Sequence, residues 1–315
     1  MQSLGAPDWP SALDDPGDAV VVAGGDGTVA AIASHMIGRP EPIAVIPMGT
    51  ANNVARALGV RGTPEALMAA WPSWESVGFD VGRVTDGART ATFLECVGVG
   101  EFGRLIADSD LLERASREDD RERKLERDLA HLRDRVAASD GQGIALTIDG
   151  VDRSGEYVLA EVVNVWTIGP RLGLAPAAAV DDGRLHVVLV DRDHRPGLVR
   201  YLESLRRGEI AAPEIEVIAA SRVELGCSVH DLHVDGELWC GDSSLIEAHH
   251  RVELVLSVMP SAVHFLRPPR AVQPSLPIEP GDPSAPSAHV GPERLTSAPG
   301  AVVSTSEPSS PGRGT

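Results

Sequence analysis

Two strand–turn–helix units stand back to back near the start of the chain, and they restrict it to folds built on a parallel sheet. Ala19-Val20-Val21-Val22-Ala23 is a short apolar run of the buried-strand kind, closed by Gly24-Gly25. Thr28 to Ile37 reads as a helix stopped by Gly38 and Pro40. Ile43-Ala44-Val45-Ile46 is a second buried strand, Pro47-Met48-Gly49-Thr50 a turn, and Asn52 to Leu58 a helix ended by Gly59. Units of this kind bring both strand-to-helix turns to the carboxyl edge of one sheet, where α/β proteins bind ligands. Composition agrees: 43% of residues are hydrophobic but only 3% aromatic, so the core is mostly small aliphatics that suit such a sheet.

After about Phe79 the texture changes. Thr92 to Val97, Ile144 to Ile148, Tyr157 to Val165, Arg184 to Val190 and Val252 to Val258 read as strands without intervening helices, which predicts a mainly antiparallel second domain. Leu111 to Ala138 is the exception, a charged helix with a narrow stripe of Leu125, Leu129, Leu132 and Val136. From Pro268 onward the chain holds 11 of its 24 prolines among Ser, Gly and Ala, a composition that predicts a disordered tail.

The formal charge is −18. After Leu266, Arg267, Arg270, Arg294 and Arg313 balance Glu279, Asp282, Glu293 and Glu307, so the acidic excess lies in the folded part. Such a surface repels phosphate backbones, which argues against nucleic acid as a partner, and it opposes simple docking on anionic lipid. Cys96, Cys227 and Cys240 are too few and scattered for a disulfide framework, and the start has neither a basic region nor an apolar run. No window reaches the ~18 apolar residues of a spanning helix. The expectation is a soluble, cytoplasmic protein whose membrane contact, if any, is peripheral.

Two loops carry candidate chemistry. In Gly24-Gly25-Asp26-Gly27-Thr28 the glycines let the backbone approach an anion, and the following helix N-terminus favours phosphate. Asp26 beside phosphates makes sense if it holds Mg²⁺ or pairs with a base. In Pro47 to Arg56, Gly49, Thr50 and Asn52 offer a turn and short polar groups to a nucleotide; singly, Asn52 or Asn53 is more simply a helix start. His230, His233, Cys227 and Cys240 invite a zinc reading, but residues three apart on a strand face opposite ways, and a tetrahedral cage needs convergent ligands. His249-His250 reads as a surface pair.

Gly-Gly-Asp-Gly-Thr followed by Pro-x-Gly-Thr-x-Asn-Asn-x-Ala-Arg-x-Leu-Gly resembles the catalytic domain shared by diacylglycerol kinases, bacterial lipid kinases, and sphingosine and ceramide kinases. The resemblance continues through Asp80, Ala175-Pro176, Asp181-Asp182-Gly183-Arg184-Leu185 and Val234-Asp235-Gly236-Glu237, covering about residues 19–267. It implies an α/β, two-domain lipid-kinase fold like that of NAD kinases: an irregular start (1–18), a nucleotide-binding domain (19–79, joined by a last strand at 255–267), a β-rich substrate domain (80–254) and the tail (268–315). It implies ATP between the domains, with Asp26 near metal-bound phosphates and Thr50 at the nucleotide. It places a metal at Asp182, with main-chain oxygens from Ala179 and Arg184, and Asp80 is grouped with these acids. It implies that Asp235 or Glu237 takes the proton of a lipid alcohol. Both, two apart on a strand, would face one cleft.

The sequence departs from the family at two places. Only Met1 to Asp18 precede the first strand, where the family has a longer stretch with further strands and nucleotide contacts; this predicts an incomplete nucleotide domain. Thr167-Ile168-Gly169-Pro170-Arg171 lacks the glycine-rich run common there. The resulting expectation is an ATP- and Mg²⁺-dependent kinase of lipid metabolism, such as phospholipid synthesis, acting on a diacylglycerol-like alcohol. The alternatives are a kinase-fold binding or regulatory protein without catalysis, and an NAD kinase-like enzyme. Oligomeric state is open, a homodimer among the alternatives.

Overall fold

The computed structural model describes residues 9–113, 121–209, 212–239 and 251–269. The tail expected to be disordered, with Cys240 and His249-His250, falls outside the described residues from 270 onward and over 240–250. No helix among the described residues is long and apolar enough to cross a membrane.

The first lobe runs β1 (Val20–Gly24), α1 (Asp26–Met36), β2 (Ile43–Pro47), α2 (Asn53–Ala57) and α3 (Pro64–Ala70). β1 and β2 are parallel, with Val20 opposite Ile43 and Gly24 opposite Pro47. Equal register puts the two strand-to-helix turns side by side. The apolar run of β2 is buried throughout, whereas β1 ends the strand order and alternates, leaving Val21 53% exposed. The reading of β1 as a buried strand is therefore corrected. α1 packs on β1, and the alternation shows one face of the strand covered and the other not. α3, which the periodicity did not reveal, carries a plain start signal: Thr63 accepts the Ala66 N–H at 3.4 Å and Pro64 opens the first turn.

The second lobe contains β3 (Glu75–Thr85), β4 (Thr90–Phe93), β5 (Cys96–Gly100), α4 (Glu101–Glu113), α5 (Arg121–Ala138), β6 (Gln142–Ile148), β7 (Val151–Asp152), β8 (Gly155–Val163), β9 (Leu185–Asp191), α6 (Arg195–Arg206), β10 (Glu216–Ala220), β11 (Arg222–Ser228), β12 (His233–Val234) and β13 (Glu237–Leu238). β14 (Arg251–Arg267) belongs to both lobes. Pairings among β3 to β13 are antiparallel. Three expectations change. The helix read from Leu111 begins instead at Glu101, as α4. The strand read over Thr92 to Val97 breaks at Leu94-Glu95 into β4 and β5, and a helix, α6, intervenes between β9 and β10. α6 buries Leu198, Tyr201 and Leu202 and packs on α5, whose stripe of Leu125, Leu129, Leu132 and Val136 is buried.

β14 pairs antiparallel with β11 from Arg251 to Ser257, and with β3 along most of its length. It then lies beside β2, Phe265 opposite Ile43. Its register shifts between Met259 and Val263, where Ser261 has a φ of 49°. Phe79 and Phe265, both fully buried with ring centroids 5.0 Å apart, pack where β3 and β14 run together. Each such ring contributes about 1.5–3 kcal/mol of burial.

Candidate active site

Helix α1 begins with Gly25 in an extended conformation and without a side-chain cap, so its first amides remain available to an anion. A Cβ on Gly49 would lie 2.5 Å from the Gly25 Cα, so glycine here lets the two loops touch. Above Gly27 there is open space within 4 Å, so this end of the helix is accessible. The loops are tied by Asp26, whose Oδ1 accepts the Val54 N–H at 3.0 Å, with the amides of Asn52 and Asn53 adding to the hold. A carboxylate from the first loop thus caps the helix of the second.

Asn52 is spent on its own loop. In the left-handed region at φ 55°, it accepts the Gly49 N–H and donates to the Gly49 carbonyl, both at 2.8 Å. The side chain expected to offer a polar group to a nucleotide thus closes its own loop. Thr50 is half-buried and its carbonyl accepts from Arg171 at 3.2 Å; Thr28 packs against Gly24. Asn53 is the surprise of this segment. Only 1% exposed, it donates to Glu95 Oε2 at 2.7 Å and to the Gly169 carbonyl at 2.9 Å, and accepts from the Thr167 hydroxyl at 3.3 Å.

Asp235 and Gly236 are the two central residues of a hairpin joining β12 and β13, with φ of 47° and 81°. Positive φ at both is the conformation that Asp-Gly favours in a two-residue turn. Asp235 and Glu237 therefore do not share one strand face: Asp235 sits in the turn and Glu237, exposed, lies opposite Val234. From the turn the Asp235 carboxylate reaches the break between β4 and β5. Its Oδ2 accepts the Leu94 N–H at 2.7 Å, and its Oδ1 accepts those of Glu95 and Cys96 at 2.8 and 3.0 Å. The strand breaks there because the amides of Leu94, Glu95 and Cys96 turn to this carboxylate.

Asp26, Glu95 and Asp235 form one electrostatic group. Burial pushes the Asp235 carboxyl up to about 6 against the pull of its three amides, and Asp26 adds to the rise. Burial also raises Asp26, and it raises Glu95 well above the usual carboxylate range, with Asp26 and Asp235 contributing. Neighbouring buried carboxyls share protons and titrate as a unit. Glu95 was missed by the sequence reading; the signal was a carboxylate inside the apolar run Phe93 to Val97, where an unpaired charge is costly.

A second acidic station lies at Asp80 and the 179–184 loop. Asp80, 1% exposed, accepts the Gly183 N–H at 2.6 Å through Oδ2 and the Ser261 N–H at 2.8 Å through Oδ1, joining β3, the loop and the irregularity of β14. Burial raises its pKa. Asp182 accepts the amides of Ala179 and Arg184 at 3.1 and 2.9 Å and pairs with His186 Nε2 at 2.9 Å. The expectation of a metal between Asp182 and main-chain oxygens of Ala179 and Arg184 concerns this loop. Both residues present N–H groups to Asp182, whose carboxylate closes its own turn. At the first group, burial and the mutual repulsion of three carboxyls favour a neighbouring positive charge.

An α/β lobe with two touching glycine loops, an antiparallel β lobe and an acid group drawn from both are the parts of a two-lobed kinase fold. Comparison with known proteins makes this specific. Residues 10–84 match the diacylglycerol kinase catalytic domain, and residues 107–267 match the YegS C-terminal NAD kinase beta sandwich-like domain. A diacylglycerol kinase of Mycobacterium tuberculosis is 25% identical over 258 residues, covering 80% of this chain and 77% of that protein. A diacylglycerol kinase of Bacillus subtilis is 27% identical over 233 residues, covering 70% and 71%. A crystal structure of a diacylglycerol kinase from Bacillus anthracis superposes with a TM-score of 0.61 at 20% identity, over 86% of this chain and 85% of that one, which shows the shared fold. The chain belongs to the diacylglycerol kinase catalytic-domain family and is a lipid kinase, a phosphotransferase.

Proposed function

We propose that this lipid kinase uses ATP with Mg²⁺ to phosphorylate the hydroxyl of a diacylglycerol-like lipid, reached by peripheral contact with a membrane. The observation that carries the reading is the convergence of Asp26, Glu95 and Asp235 beside an uncapped helix N-terminus with open space over Gly27. The α1 amides would receive phosphate, and Asp26 and Glu95 would hold the cation. Bound there, Mg²⁺ supplies charge neutralisation for the transferring phosphoryl group.

The chain's own groups do the rest. Asp235, at about 6, is anionic at neutral pH and close enough to it in proton affinity to act as a base on an alcohol. Its three amide donors hold it in one orientation. Glu237, exposed on the adjoining strand, is the second candidate, and the two are separated by variants. Asp235→Asn abolishes transfer if Asp235 is the base, whereas Glu237→Gln does so if Glu237 is.

The test is transfer of radiolabelled phosphate from ATP·Mg²⁺ to a panel of lipid alcohols, with NAD as a competing acceptor. Label on a diacylglycerol supports the reading. Label on NAD alone moves the chain to the NAD kinase activity, and no transfer to any acceptor by a folded chain supports a binding protein without catalysis.

A further inference from the structure

Behind the acid group, on the neighbouring strands, lies a second cluster that the reaction above does not use. We propose that Cys96, Glu161 and His233 form a buried binding site for a single zinc ion. Gly98 on β5 stands opposite Glu161 of β8 on one side and His233 of β12 on the other. Cys96, two residues along β5, projects from the same face as Gly98. A Cβ on Gly98 would fall 1.9 Å from Glu161 Oε2, so the missing side chain is what lets the carboxylate lie across the middle strand toward the imidazole. One donor atom from each of the three residues lies within 4.8 Å of the others, and Glu161 Oε1 is 3.1 Å from His233 Nε2.

The three side chains are 0–1% exposed, and two of their atoms, Glu161 Oε2 and His233 Nδ1, have no hydrogen-bond partner. A buried carboxylate oxygen with no donor is costly, and an apolar residue in its place would pack without that cost. A zinc ion bound through His233 Nε2 would give the unpartnered Glu161 oxygen its counter-charge. Thiolate, carboxylate and neutral imidazole are its usual ligands, and one thiolate plus one carboxylate cancel its two charges. With Glu161 bidentate, three side chains supply four donor atoms. Binding converts the Cys96 thiol to thiolate and releases that proton to solvent, while the hydrogen between His233 Nε2 and Glu161 Oε1 moves to Nδ1 and frees both ligand atoms. Burial and the nearby Glu161 hold this thiol well above its ordinary pKa, so without a cation it stays protonated. A hard ion such as Mg²⁺ does not choose a sulfur ligand, which separates this site from the acid group.

The sequence could not assemble this set, because its ligands come from three distant strands. The cage of Cys227, His230, His233 and Cys240 that the sequence argues against shares only His233 with this set, and that residue turns to β5 and β8. The site also has a place in the reaction. His233 is two residues before Asp235 on the hairpin, and the Cys96 amide donates to the Asp235 carboxylate. An ion joining Cys96 to His233 would fix the hairpin to the strand break and so position Asp235.

The experiment uses the full chain without a histidine tag, loaded with Zn²⁺ and separately with Co²⁺, then freed of loose metal. Expected are about one zinc per chain by elemental analysis and a thiolate-to-cobalt charge-transfer band. Glu161→Gln and His233→Asn weaken zinc retention at least about tenfold while circular dichroism stays that of a folded protein. Less than about a tenth of an equivalent of either metal overturns the proposal, as does a cobalt band that survives Cys96→Ala. Should Cys96→Ala not fold, Cys227→Ala and Cys240→Ala decide. A band kept in both leaves Cys96 as the thiol, and a band lost in either overturns the site.

Discussion

The two acidic stations of this molecule hold carboxylates in opposite ways. At Asp26, Glu95 and Asp235 the groups are withdrawn from water and crowd one another, so each is pushed toward its protonated form and any cation is welcome. At Asp182 the carboxylate faces solvent, takes the amides of its own turn and pairs with His186. Between them stands Asp80, buried like the first group but engaged like the second. The difference teaches that an Asp-Gly in a family motif is not one kind of object. The Asp235 turn delivers a carboxylate into a cleft, whereas the Asp182 turn uses its carboxylate to hold a loop.

Variants can break or sharpen this contrast. The largest effect is expected for Asp235→Asn. It should lower phosphate transfer by about a hundred- to ten-thousand-fold and also destabilise the chain, because an amide nitrogen would face one of the N–H donors that now meet oxygen. Steady-state kinetics beside a urea titration reads both; equal activity in Asp235→Asn and the parent would erase the distinction between the stations.

Asp80→Ala comes next. It leaves the Gly183 and Ser261 amides without an acceptor, each worth about 1–3 kcal/mol, and the loss should appear as a lower urea midpoint. A midpoint unchanged within error would mean those amides find other partners.

Acidity gives the third test. Asp235 binds its proton at about 6 in the folded chain against 3.8 ordinarily, so between these values the folded state carries the extra proton. This contribution to stability is full below about 4 and is lost as pH rises through about 6. Stability measured in urea at pH 4, 5 and 6 should fall across that window more steeply in the parent than in Asp235→Ala. Asp26→Asn, which keeps an acceptor for the Val54 N–H, should lower the apparent pKa of the acid limb in the residual kcat/KM, since the charged neighbour that raises Asp235 is gone. Asp182→Asn should do least, under about 1 kcal/mol and a few-fold in rate, because its turn is solvent-exposed.

Much of the architecture was legible because it rests on short-range patterns. The β2 run, the α1 and α2 helices and the buried stripe of α5 follow from periodicity and glycine punctuation alone. α6 was equally written, in Pro196 and the spacing of Leu198, Tyr201 and Leu202, but was overlooked between strong strands. What periodicity cannot carry is a contact made across the chain. The break of the Thr92 to Val97 run exists because Asp235, some 140 residues later, claims three amides. Glu95 joins the site through Asn53, and the Cys96–Glu161–His233 set depends on which strands are neighbours. Residue types at the two loops were readable, but which ones face a ligand was decided by local bonds such as the Asn52 clasp on Gly49.

The long strand β14 has a bearing on how the molecule comes apart. Its first half is stitched into the antiparallel lobe and its last residues into the parallel one, with Asp80 fastening the irregularity between them. Neither lobe can melt alone without stripping backbone hydrogen bonds from the other. Although two separate family descriptions match the two parts of the chain, the protein should therefore lose its structure in a single calorimetric transition, and a ligand that tightens the cleft should raise that transition for both lobes together.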